Sequence, residues 1–348
     1  MIQPPTSAGA TGMPPPGNAG FVDLTVCVIG RNEAANLPAC TDSLGVLVAA
    51  GLHVETIFVD SASTDRSAEV AMRHFDVVLE LQASNQLNAG AARAVGTANA
   101  TGRWMLYLDG DMRLRAEFMP QLLDLVAGAT AAEGLAGQTR NVYPDGSSDL
   151  MLLFGNRPGL PCKAFGGAVL LRRDVVLACG NWAPNLFSNE ESELYSRLLQ
   201  RSARVLWTEA PMVDHVTAKF APAHKLRGSL LPWGSHLGKK FFGAGQVTRR
   251  AWLHGHLVSF MRLKPLQYTM VAALLLSGLG LLVSPRLAPW PAVLVFLWIT
   301  GVRGPKFAVN CICWTSQTLF GLSRLDPDFK PRLRQAHRTG RASPTSPS

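Results

Sequence analysis

The chain is short of charge. Only 16% of its 348 residues are Asp, Glu, Lys or Arg, against about 25% in an ordinary soluble domain. The mean hydropathy is +0.13. Together these values exclude a wholly disordered chain and argue against a purely soluble one. Acid is missing altogether from one long stretch: between His215 and Leu325 there is not one Asp or Glu. The six cysteines, at 27, 40, 162, 179, 311 and 313, form no C-x-x-C pair and no Cys/His set with structural-zinc spacing. Reduced thiols are therefore the expected state. There is no repeat of solenoid or propeller period, and Gly and Pro follow no collagen period. The first twenty residues carry no charge and lack the basic and apolar regions of a secretory signal. Their Pro, Gly and Ala content predicts a disordered arm over 1–20.

What the chain does have is alternation. Leu24 to Ile29 is a short β-branched apolar run that stops at Gly30, the signature of a buried strand. A helical stretch over 34–50 follows. A second strand, Val54 to Val59, ends in Asp60, and Ser63-Thr64-Asp65 opens a helix reaching about Phe75. Val77 to Leu81 is a third strand, and a small-residue helix spans 86–100. Trp104 to Leu108 is a fourth strand, ending in Asp109. Strands and helices at this spacing predict a doubly wound, mostly parallel α/β sheet. Ligands of such sheets bind at the C-terminal strand ends, where Arg31, Asp60 and Asp109 stand. The second half of this domain, up to residue 218, is less regular. It holds a strand-like run from Ala168 to Leu171 after Gly166-Gly167, and an acidic helix start at 189–193.

The character changes beyond residue 218. Residues 219–264 carry nine Lys/Arg and no acid, interleaved with Trp233, Phe241, Phe242, Trp252 and Phe260. Basic and aromatic residues together suit a membrane interface. Leu266 to Val283 is 18 residues without a charge, near the minimum for a spanning helix. After a Pro-rich break, Trp290 to Val302 is a second apolar run, so 265–303 reads as a transmembrane hairpin. Residues 304–325 are interrupted by polar side chains and read as interfacial or re-entrant. Residues 326–348 read as a disordered basic tail. From Arg303 onward there are eight Lys/Arg against two Asp, which places that end in the cytosol by the positive-inside rule. The net charge of +9 suits anionic lipid or nucleic acid. The adjoining apolar runs decide for lipid, and no nucleic-acid partner is expected.

Chemistry concentrates at Asp109-Gly110-Asp111, just after the fourth strand. Two carboxylates flanking a glycine can offer oxygens to one hard divalent cation, Mg²⁺ or Mn²⁺, with positions left for a diphosphate. The spacing alone is weak, since Asp326-Pro327-Asp328 repeats it in the basic tail. Place in the sheet separates the two.

Four segments then appear in order: V-I-G-R-N-E-A-A-N-L (28–37), V-D-S-A-S-T-D-R-S (59–67), A-G-A-A-R-A-V-G-T-A-N-A-T-G (89–102) and L-D-G-D (108–111). They resemble the family 2 glycosyltransferases, inverting nucleotide-sugar enzymes of the GT-A fold. E-E-S-E-L-Y-S-R-L (190–198) resembles that family's acidic motif, E-D-x-E-L-x-x-R. The resemblance covers about residues 24–220. It implies that Asn32 and Glu33 sit by the nucleoside, that Asp60 accepts a hydrogen bond from the base, and that Arg93 contacts the diphosphate or base. The family usually has Asn shortly after this Arg, whereas Ala94 and Val95 follow here. Asp109 would bind the ribose or metal-bound water, Asp111 the metal, and His215, in V-D-H-V, a third metal position. Glu191, aligned with the catalytic Asp of the family, and Glu190 are the candidate bases. Gly166-Gly167 would let backbone approach the acceptor. The Q-x-x-R-W motif of processive synthases is not matched near Gln200, which argues for one or a few sugars added per encounter.

The expected protein is thus a glycosyltransferase domain over 21–218, anchored in the cytoplasmic (inner) membrane with its catalytic face in the cytosol. The expected donor is a UDP-sugar with Mg²⁺ or Mn²⁺. The expected acceptor is lipid-linked or a glycan, in exopolysaccharide or cell-envelope assembly. The rival reading is a catalytically silent nucleotide-sugar sensor or scaffold.

Overall fold

In the computed structural model, residues 22–151, 156–218, 242–322 and 329–340 are described. The disordered arm expected over 1–20 and the first part of the basic segment, 219–241, lie outside them. The N-terminal half begins with β1 (Leu24–Gly30), the short helices α1 (Leu37–Ser43) and α2 (Gly45–Ala49), and β2 (Val54–Asp60). It continues with α3 (Ser67–His74), β3 (Val77–Leu81), α4 (Ala89–Asn99) and β4 (Trp104–Asp109). Strands β1 to β4 lie within a residue of their expected limits. The helix expected over 34–50 is broken at Leu44, which caps α1 and leads into α2.

β5 (Met112–Leu114), α5 (Met119–Val126), β6 (Gly134–Val142), β7 (Ser148–Leu150), β8 (Val169–Arg172) and α6 (Arg173–Ala178) follow. α7 (Glu190–Gln200) and β9 (Val205–Val216) complete this part. With a last strand, β10 (Leu333–Arg338), the sheet order is β10-β3-β2-β1-β4-β8-β6-β9-β5, with β7 on β6. The run β3-β2-β1-β4 is parallel, as the alternation requires. β8 joins β4 antiparallel, and of the later pairs only β6 with β9 is parallel. The sheet is therefore mixed, with its parallel character confined mainly to the first half. Short links without crossover helices, such as β4 to β5, can only pair antiparallel or start a new ladder.

Both faces are buried. Val26, Val28, Phe58, Leu106 and Leu108 point to the side covered by α1, α3 and α5. Cys27, Ile29, Val59 and Tyr107 point to the side of α4, α6 and α7. The small residues of α4 allow close contact with β1: a Cβ on Gly96 would overlap Cys27 Sγ. Register places the site. Gly30 pairs with Asp60 and Ile29 with Asp109, so the chain leaves three adjacent strands at one edge.

Beyond the sheet come α8 (Gly243–Leu253), α9 (Leu257–Leu263), α10 (Pro265–Val283), α11 (Trp290–Arg303) and α12 (Pro305–Gly321). Among the described residues α10 alone is long and apolar enough to cross a bilayer, and only 17% of its apolar window is buried. That exposure separates it from a core helix of a soluble domain. α10 and α11 run antiparallel: the Ala292 N–H donates to Ser277 Oγ at 3.2 Å, and Met270 and Ile299 share one buried cluster with Ala308 and Cys311 of α12. α12 then passes Lys264 at Trp314 and ends where Arg249 of α8 donates to the Leu322 carbonyl at 2.9 Å. It is a continuous helix at the base of the α10–α11 pair.

The tail corrects its expectation. Residues 333–338 are not disordered but form β10 (Leu333–Arg338), antiparallel to β3. The polar sequence L-R-Q-A-H-R has no core to enter. It pairs through its backbone, on an edge strand that would otherwise stay open, with His337 Nε2 3.2 Å from Glu80 Oε1.

Candidate active site

A cleft of about 430 Å³ opens at the C-terminal ends of β1 and β4, with Arg31, Glu33, Asn88, Asp109, Asp111, Glu190 and Glu191 among its walls. Glu33 packs between two strand-end glycines: a Cβ on Gly30 or on Gly110 would stand 2.9 Å from Glu33 Cγ. Its carboxylate accepts from Asn36 Nδ2 at 2.7 Å, and burial raises its pKa.

Asn32 turns the loop after β1 with a φ of +62°, in the left-handed region that Asn tolerates better than most residues. Its N–H donates to Ser63 Oγ and its Oδ1 accepts the Thr64 N–H, both at 2.8 Å. Asn32 therefore ties the β1 loop to the β2 loop. Asp60 is buried; its carboxylate accepts the Ser63 N–H at 2.9 Å and the Ser63 hydroxyl. Burial raises the Asp60 pKa. The carboxylate expected to read a base is thus already engaged in capping the turn after β2.

Arg93 lies deeper than the resemblance implies. It is 1% exposed, and its Nη2 donates to Asp109 Oδ1 at 2.8 Å. Its Nη1 lies 3.3 Å from Glu190 Oε1 and 3.5 Å from Glu191 Oε1. Its guanidinium carbon stands 5.0 Å over the Trp182 ring, which meets Tyr107 edge-on. Burial opposes its charge, yet the three carboxylates raise its pKa. Arg93 is therefore placed to hold carboxylates from β4 and α7 in one frame rather than to reach into the cleft. Gly167 lies against this frame, because a Cβ there would come 2.8 Å from Arg93 Nη2 and 2.9 Å from Asp109 Oδ2. Its bareness leaves room for that ion pair.

The first turn of α7 divides its acids. Glu190 is buried, and burial with the neighbouring Glu191 pushes its pKa up to about 7. The Glu191 side chain is 24% exposed against 9% for Glu190, so Glu191 is the more open of the two. Glu193 is fully buried and accepts from Arg197 at 2.6 and 3.0 Å and from Arg250 of α8 at 2.9 Å. His256 Nε2 stands 3.1 Å away.

Asp111 and His215 meet across β5 and β9, where Met112 pairs with His215. Asp111 Oδ2 is 3.2 Å from His215 Nε2. His215 Nδ1 is 3.0 Å from Asn141 Oδ1, and an amide oxygen accepts, so Nδ1 carries the proton there. The hydrogen bond to Asp111 raises the His215 pKa. Asp111 Oδ1 is buried and has no hydrogen-bond partner among the described residues. Among the described residues no three Asp, Glu, His or Cys side chains converge as a ready-made cation site, and Asp109 is committed to Arg93 through one oxygen.

Sequence reading missed the helix behind the cleft. Gln246 is buried, and its Oε1 accepts the Phe187 N–H at 3.1 Å. Arg250 lies 3.4 Å from Asn185 Oδ1. A Cβ on Gly243 would overlap Ser188 Oγ. α8 therefore braces the 185–189 loop that walls the cleft. The available signal was Gln246-Val-Thr-Arg249-Arg250, which matches Q-x-x-R-W except that Arg250 stands at the Trp position, well beyond the neighbourhood of Gln200.

Residues 25–149 match the model of glycosyl transferase family 2. The pre-mycofactocin glycosyltransferase of Mycobacterium tuberculosis is 26% identical over 256 residues, covering 69% of this chain and 50% of that protein. This chain thus spans about half the length of that relative. Glycosyltransferase AglE of Haloferax volcanii is 25% identical over 246 residues, 67% of this chain and 74% of that protein. Among solved structures, S. aureus TarS 1-349 in complex with UDP-GlcNAc aligns at 13% identity with a TM-score of 0.49, covering 85% of this chain and 90% of that one.

Proposed function

We propose, from the match of residues 25–149 to the model of glycosyl transferase family 2, that the chain is a membrane-anchored inverting glycosyltransferase. It moves a sugar from a nucleotide-diphosphate donor, a UDP-sugar in our reading, to a lipid-linked or glycan acceptor in exopolysaccharide or cell-envelope assembly. The observation that carries the proposal is the Arg93 frame, which gathers Asp109 and the two α7 carboxylates on one wall of the cleft.

The donor lies along the ends of β1, β2 and β4, with Asn32, Glu33 and the Asp60–Ser63 turn near the nucleoside. An acceptor hydroxyl approaches from the α7 side. Its oxygen bonds to the anomeric carbon, the bond from that carbon to the diphosphate oxygen breaks, and UDP leaves with the electron pair. Glu191 takes the hydroxyl proton from the face opposite the leaving group. Arg93 keeps that carboxylate aimed, and Glu190 stands behind it. Asp111 and His215, with Asp109, would hold a Mg²⁺ or Mn²⁺ ion: Asp111 Oδ1 is buried without a partner among the described residues, and Asn141 fixes the imidazole. When bound, such a cation supplies Lewis-acid stabilisation of the leaving diphosphate.

The anchor reading rests on α10, whose leucines 275, 276, 279, 281 and 282 are exposed. Arg262, Lys264 and Arg303 flank the end of the α10–α11 pair nearest the sheet, the arrangement expected for a cytosolic catalytic domain.

The test uses membranes containing the full chain, a panel of UDP-, GDP- and dTDP-sugars, and release of the nucleoside diphosphate as readout. Release from a UDP-sugar that requires Mn²⁺ or Mg²⁺ is expected. No release from any donor, together with intact UDP binding, would establish the silent-scaffold reading instead.

A further inference from the structure

A row of polar side chains crosses the sheet behind Asp111. Asp149 of β7 pairs with Asn141 of β6, and Asn141 pairs with His215 of β9. His215 pairs in turn with Met112 of β5, the residue after Asp111. The Val216 N–H donates to the Asp111 carbonyl at 2.9 Å, which pins the start of β5 against the end of β9. Contacts run along the row. Asn141 Nδ2 donates to Asp149 Oδ1, and the Tyr143 hydroxyl donates to Asp149 Oδ2, both at 2.8 Å. An ionised carboxylate only accepts, so Asp149 turns the Asn141 amide with its NH₂ towards β7 and its oxygen towards His215. That oxygen lies 3.0 Å from His215 Nδ1.

The amide therefore selects one tautomer. With the proton on Nδ1, a neutral ring presents a bare lone pair at Nε2. Nε2 stands 3.2 Å from Asp111 Oδ2, which is another acceptor. Two acceptors so close need a positive group between or beside them. The opposite tautomer would donate from Nε2 to Asp111 and close the pair as an ordinary hydrogen bond. Ligand atoms about 2.1 Å from an octahedral cation stand about 3 Å apart on adjacent corners, close to the spacing of this pair. Among the described residues no three Asp, Glu, His or Cys side chains converge, so a cation here depends on how well these two present their lone pairs. β7 is exposed throughout and adds little to the core. What it supplies to the row is Asp149.

We infer that Asn141 and Asp149 are positioning residues for a divalent cation at Asp111 and His215, holding the imidazole proton on Nδ1 and aiming the Nε2 lone pair at the cation. This rests on the reading of Asp111 and His215 as cation ligands. Asp111 lines the cleft, whereas Asn141 and Asp149 do not; they act through the imidazole alone. Second partners of this kind set the orientation and basicity of a ligating histidine, and their loss typically weakens metal binding about ten- to hundredfold.

The test uses the full-length, metal-free protein in phosphatidylcholine nanodiscs with ¹⁵N-labelled histidine. The long-range proton–nitrogen correlation of His215, identified as the signal lost in His215→Gln, reports its tautomer when the rings are neutral at alkaline pH. We expect the Nδ1–H form in the wild type and a shift towards Nε2–H in Asn141→Leu. Mn²⁺ binding, followed by electron paramagnetic resonance, should weaken about ten- to hundredfold in Asn141→Leu and less in Asp149→Ala. Exchanging the two residues, Asn141→Asp with Asp149→Asn, keeps an acceptor beside Nδ1 and a donor on β7. That double variant should recover the Nδ1–H form and most of the affinity. In transfer assays excess Mn²⁺ should recover the turnover of Asn141→Leu, which a merely structural loss would not allow. An Nε2–H ring in the wild type would overturn the proposal, and so would unchanged Mn²⁺ binding in both Asn141→Leu and Asp149→Ala. Asp149→Ala lies on an exposed strand, so it reads the row even where Asn141→Leu fails to fold. A wild type that shows Nδ1–H yet binds no Mn²⁺ would overturn it by removing the cation reading, and the tautomer signal tells these failures apart.

Discussion

Arg93 and Asp109 are joined at 2.8 Å at the floor of the cleft, and the arginine is 1% exposed. One side chain comes from α4 and the other from the end of β4. A pair this deep fixes where the Asp109-Gly110-Asp111 turn leaves the sheet. It also spends the arginine on protein carboxylates, so the donor diphosphate must be met by other groups.

Gly167→Ala tests that frame. The new Cβ would press on both members of the pair, and a displacement of about 1 Å at a reacting group can cost about a hundredfold. Turnover should fall at least tenfold while thermal stability changes little. Gly166→Ala is the control, because its Cβ would meet only Met151 Sδ at 3.7 Å. Equal effects of the two substitutions would refute the assignment.

Glu191→Gln should bind UDP and Mn²⁺ normally and barely transfer, with turnover lower by about 10² to 10⁴. If it keeps more than about a tenth of turnover while Glu190→Gln does not, the base is Glu190. UDP binding by calorimetry and single-turnover transfer distinguish these outcomes.

Asp111→Asn keeps the shape of the side chain and removes one charge. Turnover is expected to drop at least about a hundredfold, the scale of losing a key electrostatic stabiliser. Undiminished activity of the variant in chelator would exclude a cation held by Asp111.

Glu193 carries a pH prediction. Burial opposes its charge, but Arg197, His256 and Arg250 hold its pKa at about 2, below the ordinary 4.5. A depressed carboxylate contributes stability that is fully present above pH 4.5 and is lost as pH falls towards 2. Glu193→Gln leaves Arg197 and Arg250 without their counter-charge, which typically costs about 3–5 kcal/mol. The Tm difference between wild type and variant should therefore be large at pH 7 and narrow at pH 3. A gap independent of pH would contradict it.

Topology follows from β10. It pairs with β3 in the same sheet as β1 and β4, so whatever the helices between them do, they cross the bilayer an even number of times. A reporter after Ser348 should share the compartment of the catalytic domain. One inserted near Leu287, between α10 and α11, should lie on the other side. Protease protection of both reporters together would show that this helix pair stays on one side of the membrane.

The first four strands are legible in the sequence because buried parallel strands are continuous apolar runs, and Gly30, Asp60 and Asp109 mark their ends. The acids of α7 are legible as a motif, but their division of labour is not. Glu190 and Glu191 reach Arg93 across 97 and 98 residues, a meeting that only the folded sheet specifies. Arg93 shows the limit most clearly: its place in the sequence suggests a ligand contact, while its depth under Trp182 and Gly167 depends on side chains far along the chain. β10 is hidden for a different reason. Its pairing uses backbone groups, which every sequence carries, and its side chains are mostly polar and exposed.

The β10 strand also sets a timetable for synthesis. His337 and its partner Glu80 are 257 residues apart. At about 5–20 residues per second, the ribosome needs on the order of ten to fifty seconds to reach His337 after Glu80. During that interval the nascent sheet has an uncovered β3 edge, open to pairing with any extended chain nearby. The apolar helices emerge within the same interval and can be inserted before the sheet is finished. The last strand can dock only after the ribosome has passed the last of the described helices, so its closure on β3 marks a chain whose apolar helices have all emerged.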